Sequence, residues 1–349
     1  MYFLPVDELS TPRSSSPSSS PPKHLTNPFQ MHLSKPWRPL VLALHAATPA
    51  LGQVFNTYST FNALAGNADS TDAALLGNYY NHWRLTGQNE TTNRTTWDLT
   101  RSARLPTTSP KEIPMSGRRA SAIIEPSRSA FVIIDMQNFF LHPKLTPSAS
   151  LGRAAVGPTV DLIHAFRDNG VKILWTNWGF DDYDLIISPP ADLDGFSDDH
   201  TRATSFCSDM GTIEGDNGET VQVGKKLCRG SWNARPYGDL DDEMVRGVKQ
   251  GTDFYFNKNR VSGLWGAQTP LGLYLQENGI TTLFFGGVNS DQCVWGTLLD
   301  AYYKGFDVVY VPDCAATISP WYAEQMVRYN ADLNGFIANS SDIIAALKG

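Results

Sequence analysis

Strand-like and helix-like segments alternate along the chain from about residue 130 to its end, and this alternation constrains the fold more than any other feature. Short, almost continuously apolar runs predict strands at 130–135, 171–176, 254–256, 281–285 and 308–311. Apolar residues at helical spacing predict helices at 153–169, 268–278, 291–304, 320–331 and 341–347. Such alternation indicates a parallel sheet covered by helices on both faces. We therefore expect an α/β fold, a three-layer α/β/α sandwich around a mostly parallel, Rossmann-like sheet of about six strands.

Composition excludes several functional classes. The 349 residues include 28 Lys+Arg and 35 Asp+Glu, a net charge of −7, which argues against a general nucleic-acid binder. No run of 18 apolar residues exists, so a membrane-spanning helix is not expected. Four cysteines are too few for a disulfide scaffold. We expect a small-molecule partner, with neither nucleic acid nor membrane.

The first 112 residues differ from the rest. Residues 1–30 are rich in Ser and Pro, which is typical of a disordered tail. From Met31 to Gln53, a basic stretch, a short apolar run and small residues resemble a secretory signal peptide, although a basic, apolar patch in a flexible arm is the alternative. The protein is secreted if this segment is used and cytoplasmic otherwise. We predict a tail at 1–53, an extended arm at 54–112 lying on the main domain or on a neighbouring subunit, and the main domain at 113–349.

Three side chains with useful chemistry stand where predicted strands end. Asp135 ends the first strand, Lys258 follows the strand at 254–256, and Cys293 follows the strand at 281–285 in the first turn of the next helix. The carboxyl ends of parallel strands meet at one edge, where ligands bind. A carboxylate that takes the thiol proton and a cation that holds the resulting anion suit nucleophilic catalysis. A helix cap, a surface lysine and a buried structural cysteine are the alternatives.

The position of Cys293 also predicts its ionisation. Unpaired amides and the helix dipole at the start of a helix stabilise a thiolate, so we expect a lowered pKa for the Cys293 thiol. The same amides can donate to a developing oxyanion.

Three separated motifs occur in order and resemble one family. They are F-V-I-I-D-M-Q-N-F-F at Phe131–Phe140, N-K-N-R-V-S-G-L-W-G at Asn257–Gly266, and the run that begins G-G-V-N-S-D-Q-C-V-W at Gly286 and reaches Thr317. Over about residues 113–340 the chain resembles the isochorismatase-like cysteine hydrolases, with T-N-W-G at 176–179 and S-W-N-A at 231–234 similar to the fungal branch.

The resemblance implies the three-layer fold, a homo-oligomer, and roles for matched residues. Asp135 corresponds to the general base, Lys258 to its cationic partner and Cys293 to the nucleophile. The peptide bond before Asn289 is expected to be cis, with the Asn289 and Cys293 amides forming the oxyanion hole.

Departures from the family narrow the chemistry. Members that act on nicotinamide hold a metal through histidines after the second strand, but residues 175–182 contain none, and His142, His164 and His200 are scattered. We therefore expect no metal and no cofactor, and nicotinamide is disfavoured. Isochorismate vinyl-ether hydrolases typically lack the cysteine, so Cys293 favours an amide, ureido or imide carbon.

The prediction is thus a cysteine-dependent hydrolase that cleaves a C–N bond of a small molecule through a thioester. The alternatives are an isochorismate-type vinyl-ether hydrolase and a non-catalytic secreted effector on the same fold. Candidate substrate-binding residues, each of which core packing would also explain, are Asn177, Trp178, Trp232, Asn233 and Trp265. Cys207 and Cys228 can pair if the protein is secreted, and Cys314 is expected to be a buried thiol.

Overall fold

A computed structural model describes residues 73–349 except 79, 90–93, 103 and 216. The tail and the signal-like segment predicted at 1–53 lie outside the described residues, as does the start of the arm.

The strands and helices of the described residues are numbered in chain order. The strands are β1 Ala73–Gly77, β2 His82–Asn89, β3 Arg94–Asp98, β4 Lys111–Pro114, β5 Ser121–Ile124, β6 Ser129–Ile134, β7 Lys172–Trp178, β8 Thr212–Glu214, β9 Thr220–Gln222, β10 Asp253–Lys258, β11 Thr282–Val288, β12 Asp307–Ala316 and β13 Phe336–Ile337. The helices are α1 Asn138–Leu141, α2 Ser150–Ala154, α3 Val156–Asp168, α4 Asp182–Ile187, α5 Pro190–Gly195, α6 Asp239–Gln250, α7 Pro270–Glu277, α8 Trp295–Tyr303, α9 Trp321–Asn334 and α10 Ser340–Lys348.

The central sheet has six parallel strands in the order β10-β7-β6-β11-β12-β13. Side chains of β6 alternate between its faces, so that Phe131 and Ile133 pack with α3, α6 and α10, whereas Val132 and Ile134 pack with α7, α8 and α9. Burial on both faces explains the continuous apolar strands. The predicted three-layer α/β/α fold is confirmed.

A second sheet, in the order β1-β2-β3-β5-β4, packs against the first. β3 pairs in parallel with β5, so hydrogen bonds cross the boundary that we placed between arm and main domain. The buried Arg101 guanidinium contacts Asp307 at the start of β12 at 2.7 Å, and the Trp83 indole N–H donates to the same carboxylate at 2.7 Å. The described part of the arm is therefore joined to the main domain by strands and a buried ion pair.

Residues 179–250, between β7 and β10, form a long insertion that is rich in Asp and Gly. This composition is typical of loops, but the insertion has more regular structure than its composition indicates. It contains α4, α5 and the β8–β9 hairpin, and its last twelve residues form α6. Cys207 and Cys228 are bonded to each other, with their Cα atoms 5.2 Å apart, so the pairing allowed by the sequence is present. We call residues 181–208 the cover segment, because it packs over the carboxyl edge of β7 and β10.

The predicted helix at 153–169 is divided at Ala155 into α2 and α3. Cys314 is a free, buried thiol in β12, as expected. None of the described helices has the length and apolarity needed to cross a membrane.

Candidate active site

Asp135, Lys258 and Cys293, which we call the trio, meet at the carboxyl edge of the central sheet. Asp135 directly follows β6, Lys258 is the last residue of β10, and Cys293 lies in a π-helical turn, Ser290–Val294, that follows β11. Because β7 separates β10 from β6, the Lys258 side chain crosses β7 and places its ammonium 3.5 Å from the centre of the Trp178 ring. A cation over an indole face is stabilised by the ring quadrupole.

The Lys258 ammonium joins the other two members of the trio. Its Nζ lies 2.9 Å from Asp135 Oδ2 and 3.4 Å from Cys293 Sγ. It also donates to the carbonyl oxygen of Arg260 at 3.2 Å. At most 6% of any of the three residues is exposed, so these charges interact with little screening by water.

The backbone around Asp135 fixes its carboxylate. With φ at +51°, Asp135 is in the left-handed region, which Asp and Asn tolerate better than most residues. Its Oδ1 accepts the Trp178 amide at 2.9 Å, and its own amide donates to Asn177 Oδ1 at 3.1 Å. The Gln137 side chain donates to the Trp178 carbonyl at 2.8 Å, which ties the chain after β6 to the end of β7.

The ionisation predicted for Cys293 is wrong. Burial raises the pKa of the Cys293 thiol to about 12, although Lys258 acts in the opposite direction. Burial also raises the pKa of Asp135, again against Lys258 and against a hydrogen bond with Cys293. Desolvation at this closed edge outweighs the helix-start effect on which the prediction rested. The arrangement is a neutral thiol beside a buried carboxyl group that is able to accept its proton.

The turn that carries Cys293 is anchored on both sides. The Val288–Asn289 peptide is cis, as expected. The Ser290 hydroxyl donates to Glu324 of α9 at 2.5 Å, and the Thr317 hydroxyl donates to Asp291 at 2.6 Å. The oxyanion hole assigned to the Asn289 and Cys293 amides stays a prediction.

The five candidate pocket residues occupy different places. Trp178 lies under the Lys258 ammonium. Asn177 precedes it in β7, so its side chain projects from the opposite face of the sheet and reaches the trio only through the Asp135 amide. Trp265 is half exposed, and the Arg260 guanidinium lies 4.8 Å from its ring.

The other two, Trp232 and Asn233, are held within the insertion. The Trp232 ring packs edge-on against His142 at 5.1 Å. The Asn233 amide donates to the carbonyls of Val223 and Lys225 and accepts from the Leu227 amide, all within 3 Å. Asn233 thus connects parts of the insertion, whereas Trp232 packs against the chain that follows α1. The role of both residues in substrate binding stays a prediction.

Two residues beside the trio were missed in the sequence. Arg260 follows Lys258 in the motif N-K-N-R, and its Nη2 donates to the Ile187 carbonyl of the cover segment at 2.9 Å. Its Nε lies 3.4 Å from Asp192 Oδ2 on α5. The motif could have indicated Arg260, whereas nothing distinguishes Asp192 from the other acidic residues of the insertion.

Within the part of the chain that the structure describes, no three His, Cys, Asp or Glu side chains are grouped to hold a metal ion. His164 contacts Glu243, and His200 contacts Asp194, so these two histidines make separate contacts in different elements.

A profile of the isochorismatase domain matches residues 129–341, most of the chain and all of the trio. The chain belongs to the isochorismatase family. This family assignment makes the protein an isochorismatase-family hydrolase; the likeness to the fungal branch stays a prediction.

Relatives of this isochorismatase-family hydrolase include amidohydrolases. The ureidoacrylate amidohydrolase RutB of Klebsiella variicola (strain At-22) is 25% identical over 225 residues, which are 63% of this chain and 86% of that protein. Among solved structures, the nicotinamidase PncA from Bacillus subtilis is 24% identical with a TM-score of 0.46, over 61% of this chain and 99% of that one. N-carbamoylsarcosine amidase from Thermoplasma acidophilum is 22% identical with a TM-score of 0.43, over 61% and 96%.

Proposed function

We propose that this isochorismatase-family protein is a cysteine-dependent hydrolase that cleaves the C–N bond of a small amide, ureide or imide through a covalent acyl-enzyme. The observation that carries the proposal is the Lys258 ammonium, which contacts the Asp135 carboxylate at 2.9 Å and the Cys293 sulfur at 3.4 Å. A thiol, a base and a cation in contact inside a dry site are the requirements of nucleophilic catalysis.

In the first half of the reaction, Asp135 takes the Cys293 proton as the sulfur attacks the substrate carbonyl carbon. The carbonyl oxygen receives the electron pair, and the Asn289 and Cys293 amides stabilise it. Collapse of this intermediate breaks the C–N bond, and Asp135 gives the proton to the nitrogen, which leaves as ammonia or an amine.

In the second half, Asp135 takes a proton from water, and the hydroxyl oxygen attacks the thioester. The acid product leaves, and the proton returns to the Cys293 sulfur. The Lys258 ammonium stabilises first the carboxylate and then the developing thiolate. The resting thiol is neutral, so the sulfur becomes nucleophilic only as it transfers its proton.

The choice of a C–N bond rests on two supports. Acyl transfer to sulfur is suited to an amide-type carbonyl, whereas a vinyl ether offers no acyl group. In addition, the curated relative that is 25% identical is named for hydrolysis of ureidoacrylate.

The test is an ammonia-release screen over amides, ureides and imides. Cys293→Ala should reduce release to background and should abolish the acyl adduct in intact-mass spectra, because the acceptor sulfur is gone. Cys314→Ala removes the other free thiol, buried in β12, and should keep both signals. Turnover by Cys293→Ala would overturn the nucleophile. A wild-type protein that releases neither ammonia nor an amine and opens no imide ring, as followed by chromatography of the products, would overturn the C–N hydrolase.

A further inference from the structure

The cover segment places the carboxylate of Asp192 beside the loop that follows Lys258. Asp192 lies on α5 and contacts Arg260, whose backbone carbonyl accepts from Lys258. Asp192 and Arg260 side chains are only 21% and 13% exposed. Burial raises the pKa of Asp192, whereas the nearby positive charges of Arg260 and then of Lys258 act to lower it.

One oxygen of this carboxylate is poorly satisfied. Asp192 Oδ2 is buried, and no residue that the structure describes donates a hydrogen bond to it. Its contact with Arg260 Nε, at 3.4 Å, is longer than a charge-assisted hydrogen bond of about 2.7–2.9 Å. Arg260 directs its other nitrogens to the carbonyls of Asn259 and Ile187. A buried acceptor without a donor is costly, so the site favours a ligand that brings N–H groups.

Hydrogen bonds from Lys226 fix the loop that follows α5, the helix that carries Asp192. Lys226, itself buried, donates to the carbonyls of Phe196 and Thr204, which lie on either side of the loop that follows α5. The Cys207–Cys228 bond closes the same part of the insertion. A carboxylate that is fixed before binding discriminates between ligands better than a mobile one.

We propose that Asp192 is a specificity-determining residue that accepts hydrogen bonds from the N–H groups of a ureido substrate, so that ureides are hydrolysed in preference to plain amides. This inference rests on the proposed function. In a ureide R–NH–CO–NH₂, one N–H on each nitrogen points away from the carbonyl oxygen, and the parallel pair matches the two oxygens of a carboxylate. In the matched amide R–CH₂–CO–NH₂, one donor of the pair is missing.

The chemistry of the trio is the same for both substrates. With a ureide, the Cys293 sulfur binds the carbonyl carbon, the terminal nitrogen leaves as ammonia with a proton from Asp135, and a thiocarbamate ester remains on the sulfur. Water cleaves it to the carbamic acid R–NH–COOH. Ammonia release therefore reports both reactions in one assay.

The experiment compares kcat/KM for a ureide and the amide of the same R group, in the wild-type protein and in Asp192→Asn. The substitution replaces an acceptor oxygen with a donor, which faces the substrate N–H groups. We expect kcat/KM for the ureide to fall about 10- to 100-fold, the equivalent of one hydrogen bond to a charged group, and that for the amide to fall a few-fold at most. The ratio of kcat/KM for the ureide to kcat/KM for the amide should therefore fall.

Asp194→Asn is the matched control, because Asp194 lies on the same helix, is 55% exposed and contacts the exposed His200. It should keep the preference, and circular dichroism should report the same fold for all three proteins. An equal loss on both substrates in Asp192→Asn, or an unchanged preference, would overturn the role of Asp192 while leaving the hydrolase intact. A wild-type protein that hydrolyses neither substrate would overturn the proposed function, and this inference with it.

Discussion

At the scale of single residues, the state of the thiol determines the order of events in the proposed reaction. Burial keeps the Cys293 proton on sulfur, so the site holds no free thiolate before substrate arrives. Within the trio, Asp135, whose pKa is raised by burial, is the group that gains a proton as the solution becomes more acidic. Catalysis should then depend on pH through the carboxyl group rather than through the thiol.

Lys258→Met tests this dependence. Burial raises the pKa of Asp135, and Lys258 acts to lower it, so removal of the ammonium should raise that pKa further. Because the base must be ionised, the acid limb of the kcat/KM profile should move to higher pH, and its plateau should fall by about 100-fold or more. The measurement is kcat/KM for ammonia release from pH 4 to 9. Lys172→Met, at the opposite end of β7, should leave the limb in place. If the acid limb of the kcat/KM profile stays fixed or moves to lower pH in Lys258→Met, then Lys258 does not lower the pKa of Asp135.

The trio could be predicted from the sequence, because a residue that ends a parallel strand has only one edge of the sheet to occupy. The alternation of side chains along a strand could also have assigned Asn177 and Trp178 to opposite faces of β7. The pKa of Cys293 could not be predicted, since it depends on burial in the folded protein, which the residues around Cys293 do not indicate. The role of Asn233 depends in the same way on a loop conformation that has no periodic signal.

At the scale of elements, α6 is a helix that we did not predict from the sequence, and it lies at the end of the insertion. Its first turn holds Asp239, Asp241 and Asp242, which favour a helix start, and Gly251 ends it with φ at +75°. Both signals are readable, but the Asp-rich composition around them suggested a loop. Glu243, buried on the inner side of α6, contacts His164 and Arg167 of α3. Helix packing here is thus partly electrostatic.

Glu243→Gln tests that contribution through pH. Burial opposes ionisation of Glu243, but hydrogen bonds from His164 and Arg167 outweigh it and hold the pKa below the ordinary 4.5. A folded-state pKa below the unfolded value gives stability that is present above about pH 4.5 and is lost as the pH falls through the folded pKa. Urea unfolding should show Glu243→Gln less stable than wild type by about 1.5–3 kcal/mol at pH 7, with the difference shrinking below pH 4. Glu277→Gln, at the exposed end of α7, should cost little at either pH. A difference that grows towards acid pH would contradict the assignment.

At the scale of the whole molecule, the two sheets are joined by apolar packing and by a buried carboxylate. Asp307 begins β12 of the central sheet and accepts from Arg101 and Trp83 of the N-terminal part. The central sheet could be predicted because its strands are apolar on both faces. The N-terminal sheet could not, since the sequence of β1 to β3 has no sustained apolar period, and β3 joins the sheet by pairing in parallel with β5, which is not its neighbour in the chain.

Arg101→Met should therefore destabilise the protein while leaving the chemistry of the trio intact. Loss of the guanidinium leaves Asp307 buried without its cation, which costs about 3–5 kcal/mol. Arg118→Met removes an ion pair with Asp332 in which the arginine is 45% exposed, and it should cost less than about 1 kcal/mol. Urea unfolding measures both, and kcat measured well below the unfolding temperature should match wild type. Equal stability of the two variants would show that the buried pair does not join the sheets.

The Cys207–Cys228 disulfide persists in an oxidising solution, whereas the Cys293 thiol has to stay reduced. An environment that keeps Cys207 bonded to Cys228 also oxidises exposed thiolates, which are the species that react with peroxides and with other disulfides. Cys293 stays protonated and is 6% exposed, so it offers such oxidants little to attack. One polypeptide can thus keep a disulfide-bonded insertion and a reduced thiol in the same solution. The burial that raises the pKa of the Cys293 thiol also protects its sulfur from oxidation between turnovers.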